Sequence, residues 1–171
     1  MRSKLIQVVD YDSAWPKLFA GIAARVEAAF SGSPLICIEH VGSTSVPGLP
    51  AKPILDIDVV IPSRAALPDA IVRLATLGYA HQGDLGIASR EAFRSPADLP
   101  AHNLYVCAED SSELHRHLTF RDYLRAHPDD AKRYGELKRD LATRHTNDID
   151  GYVNGKAAFV QMVLVKSDAE T

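Results

Sequence analysis

Residues 38–61 read IEHVGSTSVPGLPAKPILDIDVVI, and they contain the clearest local signals in the chain. The first of these residues belong to an apolar, β-branched run over residues 35–41, which predicts a strand. The last of them, residues 54–61, predict a second strand for the same reason. Residues 42–53 lie between the strands and are rich in Gly, Ser and Pro, which indicates a loop.

The second predicted strand carries two aspartates, Asp56 and Asp58. Because side chains alternate across a strand, residues at i and i+2 project from one face, so the two carboxylates share a site. Carboxylates are costly to bury unpaired, and solvent, a basic partner or a hard cation must compensate them. Mg²⁺ or Mn²⁺ is a natural candidate, because Mg²⁺ prefers oxygen ligands and is typically held by carboxylates and substrate phosphates. Taken alone, the pair favours a simpler alternative, an edge strand whose acidic face meets water.

The loop before the acids favours a ligand site over a solvated edge strand. Gly42, Ser43, Thr44 and Ser45 can offer backbone amides and hydroxyls to phosphate oxygens without steric obstruction. The loop and the acids are then predicted to form one cradle for a phosphate group and its cation.

The rest of the chain predicts further strands and helices around this pair of strands. Apolar periodicity, caps and breakers place helices over residues 12–30 and 63–77, with later helices beginning at Ser111 or Ser112, Pro128 and Asp148. Further strands are predicted over residues 79–82, 87–94 and 102–107. The predicted apolar faces are Leu55, Ile57, Val59 and Ile61 on the second strand, and Ile149, Val153, Val160 and Leu164 on the last helix.

Length and composition restrict the class of protein. A chain of 171 residues with 46% hydrophobic and 24% charged residues is typical of one folded domain, taken as residues 1–171. The net charge of -3 argues against a broad cationic face for duplex nucleic acid. No apolar run approaches the roughly 20 residues of a membrane span, and the N-terminus becomes polar too early for a signal peptide, so the cytoplasm is expected. Cys37 and Cys107 lie in predicted strands and are expected to pack as small core residues.

Two groups of residues resemble a known family. Val41-Gly42-Ser43 followed by Asp56-Ile57-Asp58 resembles the nucleotidyltransferase superfamily motif, a Gly-Ser turn before an Asp-x-Asp strand. The longer run over residues 38–49 and the His-Leu-x-Phe-Arg-Asp-Tyr-Leu segment over residues 117–124 are similar to the GrpB family pattern. The resemblance covers nearly the whole chain.

This resemblance implies a fold and a type of site. The fold is α/β of the α+β type, a small mixed sheet packed by helices, with a helical C-terminal third. In active superfamily members, three carboxylates hold two metals that align an acceptor hydroxyl with the α-phosphate of a nucleoside triphosphate. Asp56 and Asp58 match the first two carboxylates, but the third position falls within residues 102–105, which contain no acid. Asp84 or Glu39 is then the candidate substitute.

Basic residues could complete a phosphate site. The resemblance brings Lys52 and Arg90 near the acids, where they could contact phosphates as a point charge and as a bidentate clamp. The alternative is ordinary surface charge. His117, Arg121 and Arg125 form a stripe at i, i+4 and i+8 of a predicted helix, and a solvated or fold-stabilising role is preferred over a ligand role for it.

Two functional hypotheses follow. The first is Mg²⁺- or Mn²⁺-dependent nucleotidyl transfer from a nucleoside triphosphate, with Asp56 and Asp58 as catalytic metal ligands. The alternative is a non-catalytic module that binds a nucleotide or another phosphate-containing small molecule. The third carboxylate distinguishes the two hypotheses. If no acid lies near Asp56 and Asp58, the non-catalytic binding module is favoured.

Overall fold

A five-stranded mixed sheet is the centre of the computed structural model, which describes residues 5–171. The strands are β1 (Cys37–Val41), β2 (Leu55–Ile61), β3 (Ala80–Gly83), β4 (Glu91–Arg94) and β5 (His102–Ala108). Their order is β1-β2-β5-β4-β3, with β2 and β5 parallel and the other neighbouring pairs antiparallel. Because β2 lies between β1 and β5, the interpretation of the acids as part of a solvated edge strand is wrong. Residues 1–4, where the predicted polar N-terminal stretch begins, lie outside the described residues.

Residues 5–171 form five α-helices, as the sequence predicts, of which the first three pack on the sheet and the last two pack on the third and on each other. They are α1 (Trp15–Ala29), α2 (Leu67–Ala75), α3 (Ser112–Ala126), α4 (Pro128–Arg144) and α5 (Ile149–Glu170). The predicted caps of α3 and α5 are confirmed: Ser111 Oγ accepts from the Leu114 amide, and an Asp148 carboxylate oxygen accepts from the Gly151 amide. Helix α2 begins later than predicted, at Leu67, because residues Arg64–Ala66 form a 3-10 turn. Among the described residues, no helix is long and apolar enough to cross a membrane.

The two faces of β2 have different environments. Leu55, Ile57, Val59 and Ile61 are all buried in the main core, where they pack with residues of α1 and α2, so the predicted apolar face is confirmed. Asp56 and Asp58 point to the opposite side, toward the helices of the C-terminal third. A second core within those helices holds Tyr134 and Val163. The acid pair therefore lies where the sheet meets the helical C-terminal third.

The predicted apolar side of α5 is partly wrong. Ile149 and Val153 are half exposed, whereas Tyr152 and Val163 are buried. These two buried residues are 11 positions apart, close to three helical turns, so they share a stripe that contacts α3 and α4. Strand β4 is also shorter than predicted and begins at Glu91, because the preceding residues form a turn.

Candidate functional site

The loop after β1 packs directly against the first acid. Gly42 adopts a φ of 72°, and a Cβ atom added to it would lie 2.3 Å from Asp56 Oδ2. A side chain at this position would therefore be strained by the backbone and would also collide with the carboxylate. Only glycine allows the Gly42-Ser43 turn to approach Asp56 this closely. The predicted loop and acid strand thus meet in space.

Asn103 occupies the place expected for a third carboxylate. It lies opposite Asp56 in the parallel β2–β5 register, and its Nδ2 donates to Asp56 Oδ1 at 2.9 Å. Burial raises the pKa of Asp56, while the bond from Asn103 acts in the other direction. His102 faces away, since its Nδ1 donates to Pro100 O and its Nε2 accepts from Tyr79 Oη. The strand therefore presents an amide, not an acid or an imidazole, to Asp56.

Asp58 is fully buried and is paired with a residue of α3. His117 Nδ1 donates to Asp58 Oδ2 at 2.6 Å, while Glu113 Oε2 lies 3.6 Å from His117 Nε2. Burial disfavours the imidazolium, but the hydrogen bond and charge of Asp58 outweigh it, so the pKa of His117 is raised. The other carboxylate oxygen, Asp58 Oδ1, is buried without a hydrogen-bond partner among the described residues. This carboxylate oxygen can therefore still accept a hydrogen bond or bind a cation.

The two acids predicted as substitutes for the third carboxylate, Glu39 and Asp84, form bonds with other groups. Glu39 lies opposite Asp58 in the β1–β2 register, but its carboxylate accepts from Arg121 Nη1 at 2.6 Å. Asp84 lies in the exposed turn between β3 and β4 and accepts from the Gly86 amide at 2.8 Å. Within residues 5–171, no group of three or more His, Cys, Asp or Glu side chains is arranged to hold a metal ion. Any cation at the acid pair must complete its coordination with ligand or solvent oxygens.

The basic residues of the stripe on α3 form hydrogen bonds with the sheet and with the loop after β1. His117 binds Asp58, Arg121 binds β1, and Arg125 donates from Nε and Nη2 to Ser45 O at 2.9 and 2.8 Å. All three side chains therefore bond within the protein, which supports the fold-stabilising interpretation. The stripe fixes the position of the loop relative to the acids.

The loop residues differ in what they can offer a ligand. Ser45 Oγ donates to Gly42 O at 2.5 Å, and Thr44 Oγ1 hydrogen-bonds with His40 Nε2 at 2.9 Å. Both of these residues are buried, and their hydroxyls are engaged in bonds that brace the loop. Ser43 lines the space beside Asp56. Thr44 lines it too, but because its hydroxyl is engaged with His40, Ser43 is the better placed of the predicted hydroxyl donors to meet a phosphate.

A cavity of about 360 Å³ opens beside Asp56 and is strongly cationic. Its volume is toward the lower end for a small-molecule site. Lys52 and Arg90, both predicted from the sequence, lie in its wall. The charged side chains that line it are Lys52, Asp56, Arg90, Lys138 and Lys156, and the other polar ones are Ser43, Thr44, Asn103, Tyr105 and Tyr152. Four cationic side chains therefore surround one carboxylate.

Two of these cations, the buried Lys138 and the partly buried Lys156, are desolvated at an energetic cost. Lys138 is only 1% exposed; its Nζ donates to Pro50 O, and burial lowers its pKa to about 7. Burial and the charge of Lys52 lower the pKa of Lys156 to about 8. Depressed lysine pKa values mean that positive charge is poorly compensated in this cavity. A bound anion would relieve that deficit.

Arg90 provides a free donor in the same wall. Its guanidinium carbon lies 4.2 Å from the centroid of the Tyr105 ring, a cation–π contact. Its Nε is buried and has no hydrogen-bond partner among the described residues. Since a buried donor without a partner is unfavourable, this N–H is suited to an anionic oxygen.

Lys138 and Lys156 were not predicted as site residues. Lys138 lies on α4 between the buried residues Tyr134 and Leu141, four positions after one and three before the other. A lysine on the apolar face of a helix is uncommon unless it is paired, and this was the available signal. Lys156 follows the buried Tyr152 by one helical turn on α5. The sequence could not show that α4 and α5 bring both residues to the acids.

A larger groove of about 680 Å³ lies between the loop over residues 46–50 and helices α3 and α4. Its wall includes Val46, Leu49, Leu124 and Ala131, and it contains neither aspartate. Its wall also holds Arg125, Lys132 and Arg139, but Arg125 bonds to Ser45 O and Arg139 pairs with Asp10. It is therefore a weaker candidate site than the cavity beside Asp56.

A Gly-Ser turn held against an acid strand within a mixed sheet defines the nucleotidyltransferase fold class. The Cid1 poly(U) polymerase structure matches with a TM-score of 0.50 and 10% identity, over 77% of this chain and 45% of that chain. At this identity the likeness establishes the fold alone.

The chain belongs to the GrpB family, whose model, described as GrpB protein, matches residues 5–166. A crystal structure of the conserved protein GrpB from Enterococcus faecalis is similar, with a TM-score of 0.84 and 32% identity over 94% of this chain and 96% of that one. The UPF0157 protein YqkA of Bacillus subtilis is 35% identical over 91% of this chain and 45% of that protein. The chain thus spans less than half the length of that relative.

The close approach of Gly42 to Asp56 predicts a specific loss of stability in Gly42→Ala. Gly48→Ala is a matched control, because Gly48 has a similar φ of 80° but no atom within 4 Å of an added Cβ. We expect the control to cost about 1 kcal/mol from backbone strain. Gly42→Ala should cost about 1–3 kcal/mol more, because its ψ of -172° is open essentially to glycine alone and because the added Cβ would collide with Asp56. Urea denaturation measures both free energies of unfolding. Equal losses would show that the Gly42–Asp56 contact is not a constraint.

The buried Lys138 predicts a pH-dependent contribution to stability. Its pKa is about 7 in the folded protein and near 10.5 when exposed, so between these values the unfolded chain binds the extra proton. The free energy of unfolding therefore gains roughly 1 kcal/mol per pH unit across that window, and Lys138→Met lacks this gain. Denaturation at pH 7 to 10 of wild type, Lys138→Met and the control Lys132→Met, an exposed lysine of α4, measures the difference. A gap between wild type and Lys138→Met that stays constant with pH would contradict the lowered pKa of Lys138.

Proposed function

We propose that the cavity beside Asp56 binds the phosphate groups of a nucleoside triphosphate together with one Mg²⁺ or Mn²⁺. The observation that carries this proposal is the set of four cations around a single carboxylate. Phosphate oxygens can accept from several lysine and arginine donors at once, and such charge-assisted bonds are about twice as strong as neutral ones. The same ligand is consistent with the expected cytoplasmic location.

The acid pair would hold the metal. Asp58 Oδ1 is buried without a partner, and Asp56 lies beside it on the same face of β2. Oxygen ligands from one or two carboxylates, completed by phosphates and water, are the usual environment of Mg²⁺. When bound, the ion would neutralise phosphate charge and fix the orientation of the phosphate chain.

The remaining residues would hold the phosphates. The Ser43 hydroxyl and the unpartnered Arg90 Nε can donate hydrogen bonds, and Lys52 and Lys156 can supply charge. Ser43 comes from the loop, Arg90 from the turn before β4 and Lys156 from α5, so three separate elements would contact the ligand.

Nucleotidyl transfer is the second candidate function, and it is favoured by the position of two aspartates on one strand beside a Gly-Ser turn. Two features weaken it. Asn103 adds no negative charge where a third carboxylate is expected, and His117 already occupies one oxygen of Asp58. A second metal ion would be held weakly, so activation of an acceptor hydroxyl would be poor. We therefore propose binding accompanied by slow or narrowly substrate-dependent transfer.

Asp56→Asn should abolish metal-dependent nucleotide binding, because it removes the carboxylate that faces the cavity. Calorimetric titration with Mg²⁺ and a nonhydrolysable triphosphate measures this, and Asp98→Asn, at an exposed aspartate, is the control. If wild type and Asp56→Asn bind the metal equally, the assignment of the site is wrong.

Ser43→Ala should weaken binding by about 1 kcal/mol, the usual net value of one hydrogen bond.

Pyrophosphate release should be slow with every nucleoside triphosphate, since one metal site dominates. The assay follows release across a panel of protein, RNA and small-molecule acceptors, with Asp56→Asn as the blank. Rapid release that depends on Asp56 would contradict slow transfer and would establish the enzymatic alternative.

A further inference from the structure

The aromatic rings of the cavity are already in contact with cations. Tyr105 and Tyr152 are the aromatic residues that line it. The guanidinium of Arg90 lies over the first ring, and the ammonium groups of Lys52 and Lys156 lie 5.4 and 4.6 Å from the centroid of the second. Tyr152 is also only 1% exposed. A nucleobase commonly binds by stacking on an accessible ring, so here it would have to displace a cation that the phosphates need.

The polar groups of the cavity are equally unsuited to reading a base. Selection among bases requires fixed donors and acceptors that match one base edge and are left unpaired by another. One N–H of the Asn103 amide is engaged with Asp56, and Asp56 itself faces the proposed metal. The hydroxyls of the cavity, from Ser43, Thr44 and the two tyrosines, can either donate or accept, so they do not select one base edge. The lysines and Arg90 are donors without acceptors. Such a set matches phosphate oxygens, which only accept.

The mouth of the cavity offers a nonselective surface. Val153, on the first turns of α5, lines the cavity and is 49% exposed. An isopropyl group makes no hydrogen bond and contacts any base or sugar to a similar extent. A nucleoside lying against Val153 would gain little, and it would gain nearly the same with each base.

The cations also come from separate parts of the chain. Lys52 precedes β2, Arg90 precedes β4, Lys138 lies in α4 and Lys156 lies in α5. Lys52 and Lys156 lie over the Tyr152 ring, whereas Arg90 lies over the Tyr105 ring, so the cations occupy two different places in the wall. This arrangement fits a chain of several phosphates along the wall.

We propose that this cavity recognises a linear triphosphate chain irrespective of the base attached to it. The inference rests on the proposed function and specifies its substrate class. The four common nucleoside triphosphates bind with nearly equal affinity, and inorganic tripolyphosphate, which has no nucleoside at all, binds at the same place.

Calorimetric titration of the full chain in Mg²⁺ with ATP, GTP, CTP, UTP and inorganic tripolyphosphate tests this directly. We expect the four nucleotides to agree within about threefold, and tripolyphosphate to bind within about tenfold of ATP, a difference worth about one hydrogen bond. Tripolyphosphate should also compete with ATP for a single site.

Matched variants separate the phosphate contribution from the nucleoside contribution. Lys156→Met should weaken all five ligands by a common factor of about ten, because it removes a charge-assisted contact to the chain. Val153→Ala, at a half-exposed position, should leave tripolyphosphate unchanged and weaken each nucleotide by less than about threefold. Lys132→Met, at an exposed lysine that does not line the cavity, should change none of them.

The possible outcomes distinguish this inference from the proposed function. A preference of more than about tenfold for one base, or binding of ATP without binding of tripolyphosphate, would overturn base-independent recognition and leave the nucleotide site standing. Uniform binding that Lys156→Met does not alter would overturn it as well, since the ligands would then bind elsewhere. Failure of all five triphosphates to bind would overturn the proposed function itself.

Discussion

The arrangement around the site depends on the charge of two carboxylates on an interior strand. Asp58 has no contact with solvent, and it is compensated by His117 from α3. Asp56 receives a hydrogen bond from Asn103 of β5 and lies against the Gly42 backbone. Leaving either charge unpaired in the interior would be strongly destabilising. Compensation of these charges therefore links the sheet, the loop and the helical C-terminal third.

Compensation of the acids does not explain all the cations. Asp58 has its partner in His117, whereas Lys52, Arg90, Lys138 and Lys156 share a cavity with Asp56 alone. Burial depresses the pKa of Lys138 and Lys156, so the folded chain holds them against a free-energy cost. Stability alone would favour apolar residues at such positions. An anionic ligand would compensate this surplus positive charge, and a metal ion at the acids would give the unpartnered Asp58 oxygen a partner.

The sequence predicts local features of this protein better than it predicts long-range partners. Strand alternation placed Asp56 and Asp58 together, and the caps at Ser111 and Asp148 set the helix starts. The family pattern gave the fold. The apolar side of α5 was partly mispredicted because packing against α3 and α4, not local hydrophobicity, selects the buried stripe. The positions of Lys138 and Lys156 depend on how distant helices meet the sheet, which no local pattern specifies.

The central claim is that a metal and a phosphate chain meet at Asp56. A crystal structure of the full chain with Mn²⁺ and a nonhydrolysable triphosphate tests it most directly, because the anomalous signal locates the metal independently of the surrounding density. We predict one anomalous peak beside Asp56, with the phosphates extending toward Lys52, Arg90 and Lys156. Well-ordered ligand in the apolar groove beside Leu49, or no metal peak near Asp56 at saturating Mn²⁺, would contradict the account.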